Sequence, residues 1–210
     1  MDGGSVSEIL VCGKWPLKLL EGKAGGYFQW RDTVASRRNS ECLLELVTGL
    51  PEGMSVAEHF GGVGEASTVF QNVLKPRSHW VSDIDDDCVL QLRTNLPPGI
   101  TVVKGDAKET MGTVEAEFIS LDFAYYTAKY HDDYPWQKVF DQKPKYVEFA
   151  DGVKRRIGLH RHIYSALFGE DVWDYADYTA AYSRYMSRRH GYHITKTVSR
   201  TYSYHLMQPD

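Results

Sequence analysis

Four carboxylates, Glu58, Asp83, Asp106 and Asp122, each fall at or just beyond the end of a short apolar run. A carboxylate accepts hydrogen bonds from hydroxyl and amino groups, attracts a cation and repels a phosphate. The first of the four precedes a glycine cluster, Gly61, Gly62 and Gly64, within the stretch from Met54 to Ser67. Glycine lets a backbone turn tightly and approach a ligand where a Cβ would collide. A helix that starts just after such a turn adds unpaired N–H groups and the positive end of a dipole. The set suits a ligand with hydroxyls, amines and a positive charge better than one with a pyrophosphate. The dinucleotide fingerprint, Gly-x-Gly-x-x-Gly with an acid about twenty residues on, is only half met. Gly62 and Gly64 fit it and Asp83 is suitably placed, but Ser67 stands at the third glycine position.

These acids need a frame that brings strand ends together. The pattern predicts a first strand over Met54–Ala57 and a helix over Glu65–Leu74, with Val69, Phe70, Val73 and Leu74 at helical spacing. A second strand, His79 to Asp85, has an acidic tip, with Asp85 to Asp87 capping a helix over Cys88–Asn95. Strands at Ile100–Val103, Phe118–Leu121 and Lys145–Phe149 follow, then helical patterns from Arg155 to Phe168 and from Tyr175 to Arg189. Tyr192–Val198 and Thr201–Met207 alternate as two strands with a two-residue join. Parallel neighbours need crossover helices, so this order predicts an α/β fold with a doubly wound, mostly parallel seven-stranded sheet. The short join permits only a C-terminal antiparallel hairpin. Ligands of such sheets bind at the carboxyl ends of the strands.

Residues 1–53 are expected to form a helical extension or lid, and residues 54–210 the main domain. The extension includes a helix from Glu41 to Gly49, with Leu43, Leu44 and Val47 on one face. Tyr27, Phe28, Trp30 and Arg31 are its candidates for covering a cleft.

Composition narrows the class. The chain has 210 residues, 42% hydrophobic and 25% charged, enough for one sizeable core. A net charge of −4 gives no overall attraction to nucleic acid. A local basic set remains: Lys154, Arg155, Arg156, Arg161, Arg184, Arg188 and Arg189, interleaved with tyrosines and histidines. Basic residues bind phosphates and aromatic rings stack on unpaired bases. Glu170, Asp171, Asp174 and Asp177 balance part of that charge. Three cysteines without paired spacing argue against a disulfide framework and a zinc site. His160, His162, His190 and His193 fit no common metal-ligand pattern. No apolar run reaches the roughly eighteen residues of a membrane span, and Asp2 and Glu8 do not make a signal leader. A cytoplasmic setting is expected.

The ordered series resembles the class I S-adenosylmethionine-dependent methyltransferase family, which has a Rossmann-like fold. Val56-Ala57-Glu58-His59-Phe60-Gly61-Gly62-Val63-Gly64 resembles its first motif. Val81-Ser82-Asp83-Ile84-Asp85 resembles the second, whose acid takes the ribose hydroxyls. Gly105-Asp106-Ala107 resembles the third, which meets the adenine, and Phe118-Ile119-Ser120-Leu121-Asp122 the fourth, beside the methyl acceptor. The resemblance spans about Met54 to Met207. It implies S-adenosyl-L-methionine as cofactor, held by Glu58, Phe60, Gly62, Gly64, Asp83, Ile84, Asp106, Ala107 and Asp122. Glu58 would meet the ammonium directly or through water, Asp83 the ribose and Asp106 the adenine amine.

After the fourth motif the chain reads Asp122-Phe123-Ala124-Tyr125-Tyr126. It lacks the Asn/Asp-Pro-Pro-Tyr and Pro-Cys patterns of many base-methylating relatives. Without the cysteine, a thiolate attack on cytosine C5 is not expected. Tyr125 and Tyr126 are candidates to stack on a planar acceptor, with Asp122 taking its proton. The acceptor expected from this reading is nucleic acid, DNA or RNA, ahead of a small molecule. Two alternatives stay open: a catalytically silent binding module and a nicotinamide-linked (NAD-dependent) oxidoreductase.

Overall fold

The computed structural model describes residues 39–121, 134–152, 154, 157–200 and 202–210. Residues 39–47 are helical (α1). They are followed by β1 (Ser55–His59), α2 (Glu65–Leu74), β2 (Ser78–Asp83), α3 (Asp86–Asn95) and β3 (Thr101–Lys104). Then come α4 (Ala107–Thr110), β4 (Phe118–Leu121), α5 (Trp136–Phe140) and β5 (Tyr146–Asp151). The chain continues through α6 (Ile157–Phe168), α7 (Tyr175–His190), β6 (Tyr192–Ser199) and β7 (Ser203–Pro209). Seven strands form one sheet in the order β3-β2-β1-β4-β5-β7-β6. The first five run parallel to their neighbours, and β7 is antiparallel to both β5 and β6. This is the doubly wound sheet with a terminal antiparallel hairpin that the sequence predicts.

Caps set the ends of the elements. The Asp85 side chain accepts hydrogen bonds from the amides of Asp87 and Cys88, so α3 begins at Asp86, two residues before the apolar pattern does. Asp174 opens α7 in the same way, and Gly191 ends it in the left-handed conformation.

Each face of the sheet buries one apolar layer. Leu43, Leu46 and Val47 of α1 join Phe70 and Leu74 of α2 over Val56, Phe118 and Leu206. Leu92 and Leu96, from α3 and its end, cover Val81 on that same face. Leu44, expected on the inner face of α1, is exposed, and Leu46 packs in its place. The opposite face carries Ala57, Ile119, Val147 and Phe149 against Trp136, Phe140, Tyr164, Tyr178 and Tyr182. Fourteen tyrosines in the chain thus have a partly structural explanation, since several are large core side chains. Cys42 is free and buried, whereas Cys88 is disulfide-bonded, against the expectation from the odd cysteine count.

At the amino ends of the strands, Glu117 accepts the Ser55 amide at 3.1 Å and pairs with Lys145 at 2.8 Å. It also pairs with Arg77. These contacts hold the entries to β1, β2, β4 and β5 together. The Lys145 ammonium, the Ser55 amide and the Arg77 guanidinium lower the Glu117 pKa to about 2.

Candidate functional site

Parallel pairing brings the carboxyl ends of the strands to one rim. His59 lies opposite both Ser82 and Leu121, and Asp83 lies opposite Lys104. The chain leaves β1 through Phe60, whose φ of 65° is left-handed. The Gly61 amide then donates to the Ser82 carbonyl at 2.9 Å, which holds the turn against β2. A Cβ on Gly61 would come within 2.4 Å of Val81 Cγ1, so only glycine packs there. Gly62 differs. Its φ is +53°, and a Cβ there would meet nothing within 4 Å. The turn is therefore filled from beneath by the core at Gly61 and open above at Gly62.

Asp83 joins the turn to the end of β2. Its Oδ2 accepts the Gly62 amide at 2.8 Å and its Oδ1 accepts the Asp85 amide at 2.9 Å. Two backbone donors, one per oxygen, fix the carboxylate's orientation while each oxygen keeps further acceptor capacity. The Asp83 carbonyl receives the Gly105 amide at 3.0 Å, which carries the constraint on to the loop after β3. Beside Asp83, Ile84 is 61% exposed, an apolar side chain standing at the rim. Asp106 caps α4, its Oδ1 accepting the Lys108 amide at 2.8 Å, and Ala107 is buried at the helix start. Gly64 begins α2 without a side-chain cap.

Glu58 is placed differently from a rim carboxylate. It is 0% exposed, on the sheet face covered by α2. Its Oε2 accepts the Ser67 hydroxyl at 2.8 Å and lies 3.3 Å from His79 Nε2. Its Oε1 is buried with no hydrogen-bond partner. Ser67, the residue at the third fingerprint position, is thus bound to the acid of the first motif. Of the four acids read from the sequence, Asp83 and Asp106 stand at the rim and Glu58 lies beneath it. Asp122, Tyr125 and Tyr126 lie outside the described residues, directly after β4. Tyr27, Phe28, Trp30 and Arg31 lie outside them too.

Sequence reasoning missed His59, which sits on the other face of β1. It is 2% exposed, and its Nδ1 lies 3.3 Å from Ser82 Oγ and 3.2 Å from Thr110 Oγ1. Its ring packs edge-on against Trp80. Desolvation lowers its pKa to about 4, so the ring is neutral at ordinary pH and ties β1, β2 and α4 together under the rim. A second missed cluster closes the end of β5. Asp151 Oδ2 lies 2.8 Å from His205 Nε2, and the Tyr175 hydroxyl lies 3.0 Å from that same nitrogen. Thr197 Oγ1 is 2.9 Å from His205 Nδ1. Burial and the Asp151 charge raise the Tyr175 pKa. These contacts join β5, β6, β7 and α7, and sequence spacing gives no sign of them.

Among the described residues the basic set does not form one patch. Lys154 lies over the ring of Tyr175, whose hydroxyl reaches Asp151 at the end of β5, and Arg161 lies over Trp173. Arg188 and Arg189 occupy the last turn of α7. That turn leads into Tyr192, whose hydroxyl bonds the Pro144 carbonyl ahead of β5, so it lies at the opposite end of the strands. Arg184, on the same helix, is ion-paired with Glu170. Arg155 and Arg156 lie outside the described residues. Among the described residues no three His, Cys, Asp or Glu side chains come together as a metal site, and no helix is long and apolar enough to cross a membrane.

Neither a protein-family model nor a curated protein sequence matches the chain. Solved structures do. A putative RNA methyltransferase from Pyrococcus horikoshii superposes with a TM-score of 0.57 at 16% identity, covering 81% of each chain. Trm1 of the same organism, solved with S-adenosyl-L-methionine, gives 0.60 at 14% identity over 84% of this chain and 54% of its own. The magnesium protoporphyrin IX methyltransferase of Synechocystis, also with its cofactor bound, gives 0.55 at 13% identity over 90% of this chain and 85% of its own. At these identities the similarity is one of fold, and the fold is that of the class I S-adenosylmethionine-dependent methyltransferases.

Proposed function

We propose that this chain, which has the class I methyltransferase fold, transfers a methyl group from S-adenosyl-L-methionine to a nucleic acid. The observation that carries the reading is the Asp83 carboxylate, oriented by the Gly62 and Asp85 amides beside a turn that stays open at Gly62. The residues present fit the cofactor. A ribose offers two hydroxyl donors, and both Asp83 oxygens can accept one more hydrogen bond. Ile84 gives the adenine an apolar neighbour, and Asp106 gives its amine an acceptor. The uncapped start of α2 suits the carboxylate of the amino acid end. The buried, unpartnered Glu58 Oε1 suits a water shared with the ammonium, because burial closes the direct contact.

When bound, the cofactor supplies a methyl group on a sulfonium, activated for in-line displacement. The chain's own residues then hold the acceptor in line and take its proton. Asp122 is the proposed proton acceptor, and Tyr125 and Tyr126 the proposed stacking surface. A dinucleotide is disfavoured at this turn, since Ser67 and Glu58 occupy the close helix–strand contact where its fingerprint wants glycine. Support for a nucleic acid acceptor comes from the putative RNA methyltransferase among the structural neighbours, and from Lys154, over the Tyr175 ring beside the end of β5. The magnesium protoporphyrin IX enzyme shows that the same fold also serves a small-molecule acceptor.

The test is transfer of a labelled methyl group from the cofactor into separate pools of RNA, DNA, peptide and metabolites. Label in RNA or DNA supports the reading. Label confined to peptide or metabolites refutes the acceptor, and label in none of them refutes the activity.

A further inference from the structure

We propose that α6 is the interface of a homodimer, in which two copies of this chain pack their α6 helices antiparallel about a two-fold axis. The proposal does not depend on the cofactor reading. α6 is apolar on two sides. Tyr164 and Phe168 are buried on the inner side, against Tyr178 and Tyr182 of α7. Leu159, Ile163 and Ala166 are exposed on the other, Leu159 at 83% and Ile163 at 47%. These three are spaced like the a and d positions of a heptad, which line the seam of a helix pair. A Cβ on Gly158, beside Leu159, would meet nothing within 4 Å. A helix that is apolar all round is ordinarily buried all round, and an exposed apolar stripe marks an interaction surface.

Charge selects the occupant. From Gly152 to Gly169 the sequence holds no carboxylate, and its first half carries Lys154, Arg155, Arg156 and Arg161. Glu170 and Asp171 follow directly. Glu170 is ion-paired with Arg184, and Asp171 is exposed. The helix therefore starts basic and ends acidic, the reverse of what its own dipole favours. An antiparallel copy reconciles this, because each basic start meets the other's acidic end and the two dipoles oppose. A parallel copy would set like charge against like. With the seam centred near Ile163, Leu159 faces the partner's Ala166, and the basic segment ahead of α6 faces the partner's Asp171. The contact is isologous, so it closes at two copies. Leu159 and Ile163 offer nothing to a phosphate, so a nucleic acid does not fit this stripe. One short helix buries less than the roughly 800 Å² per partner of a standard interface, so the dimer is weak, with a dissociation constant on the order of 10–100 μM.

The experiment is analytical ultracentrifugation of the full chain at low salt, from about 1 to 300 μM, a range that brackets the expected constant. The wild type should pass from monomer to dimer and stop there. Leu159→Glu puts a charge into the seam and should weaken association at least about tenfold, with an unchanged melting temperature because the site is exposed. Asp171→Lys should weaken it about two- to fivefold, an effect that added salt removes. Leu90→Glu alters an equally isolated exposed leucine on α3 and should leave association as it is. A wild type that stays monomeric, or Leu159→Glu that dimerises as well as the wild type, overturns the proposal. So does a Leu90→Glu variant that loses as much, and an unchanged Asp171→Lys overturns the antiparallel arrangement.

Discussion

Gly62 and its neighbour Gly61 have opposite surroundings, and substitutions there should separate binding from folding. Gly62 faces open space, so Gly62→Arg should fill the cleft and abolish S-adenosylhomocysteine binding at a modest cost in stability from the left-handed backbone. Gly61→Val would drive its side chain into Val81, and should lower the melting temperature before binding is considered. Calorimetry and thermal unfolding on both variants check the contrast. His59 makes a pH-dependent prediction. Its folded pKa of about 4 lies below the ordinary 6.5, so the unfolded chain binds the extra proton first. Stability should be full above about pH 6.5 and fall as pH drops toward 4, by on the order of 3 kcal/mol in total. His59→Gln should flatten that part of the unfolding profile, and an unchanged slope would contradict the assignment. Asp83 and the glycine turn were legible in the sequence because a strand end and a turn are local features. The burial of Glu58 was not, because its partners Ser67 and His79 reach it only once α2 lies on the sheet. His59 was passed over because a lone histidine between an acid and an aromatic has no pattern of its own.

At the scale of elements, periodicity predicts the seven strands and the longer helices, including α2 with both of its ends, but not α4 or α5: Ala107–Thr110 reads as a connecting segment, and Trp136–Phe140 falls in a stretch up to Asp141 that reads as a polar loop. The boundaries that moved are those set by caps, such as Asp85, whose side chain starts α3 early. What periodicity could not give is the set of fastenings between elements. Glu117 is one, joining the entries to four strands. Its pKa is lowered to about 2, so its contribution is present above the ordinary carboxylate value and is lost as pH falls toward 2. Glu117→Gln should lower the melting temperature at neutral pH and narrow the gap from wild type under acid. The Asp151–His205–Tyr175 cluster is another. His205→Leu removes a buried partner of the Asp151 carboxylate and should destabilise the protein strongly, by about 3–5 kcal/mol in denaturant titration.

The chain carries a net charge of −4. Among the described residues, Lys104, Lys108 and Lys154 lie toward the carboxyl ends of the strands, and Arg188 and Arg189 toward the opposite end. Neutralising Lys154 should therefore weaken acceptor binding more than neutralising Arg188, with the gap shrinking as salt rises, as a filter-binding series would read. The most direct measurement of the central claim is titration of S-adenosylhomocysteine into the wild-type chain and into Asp83→Ala, with thermal unfolding to verify that both are folded. The account predicts saturable binding to the wild type and a loss on the order of ten- to a hundredfold in the variant, from two charge-assisted hydrogen bonds to the ribose. Equal affinity in the folded variant, or no binding by the wild type, would contradict it.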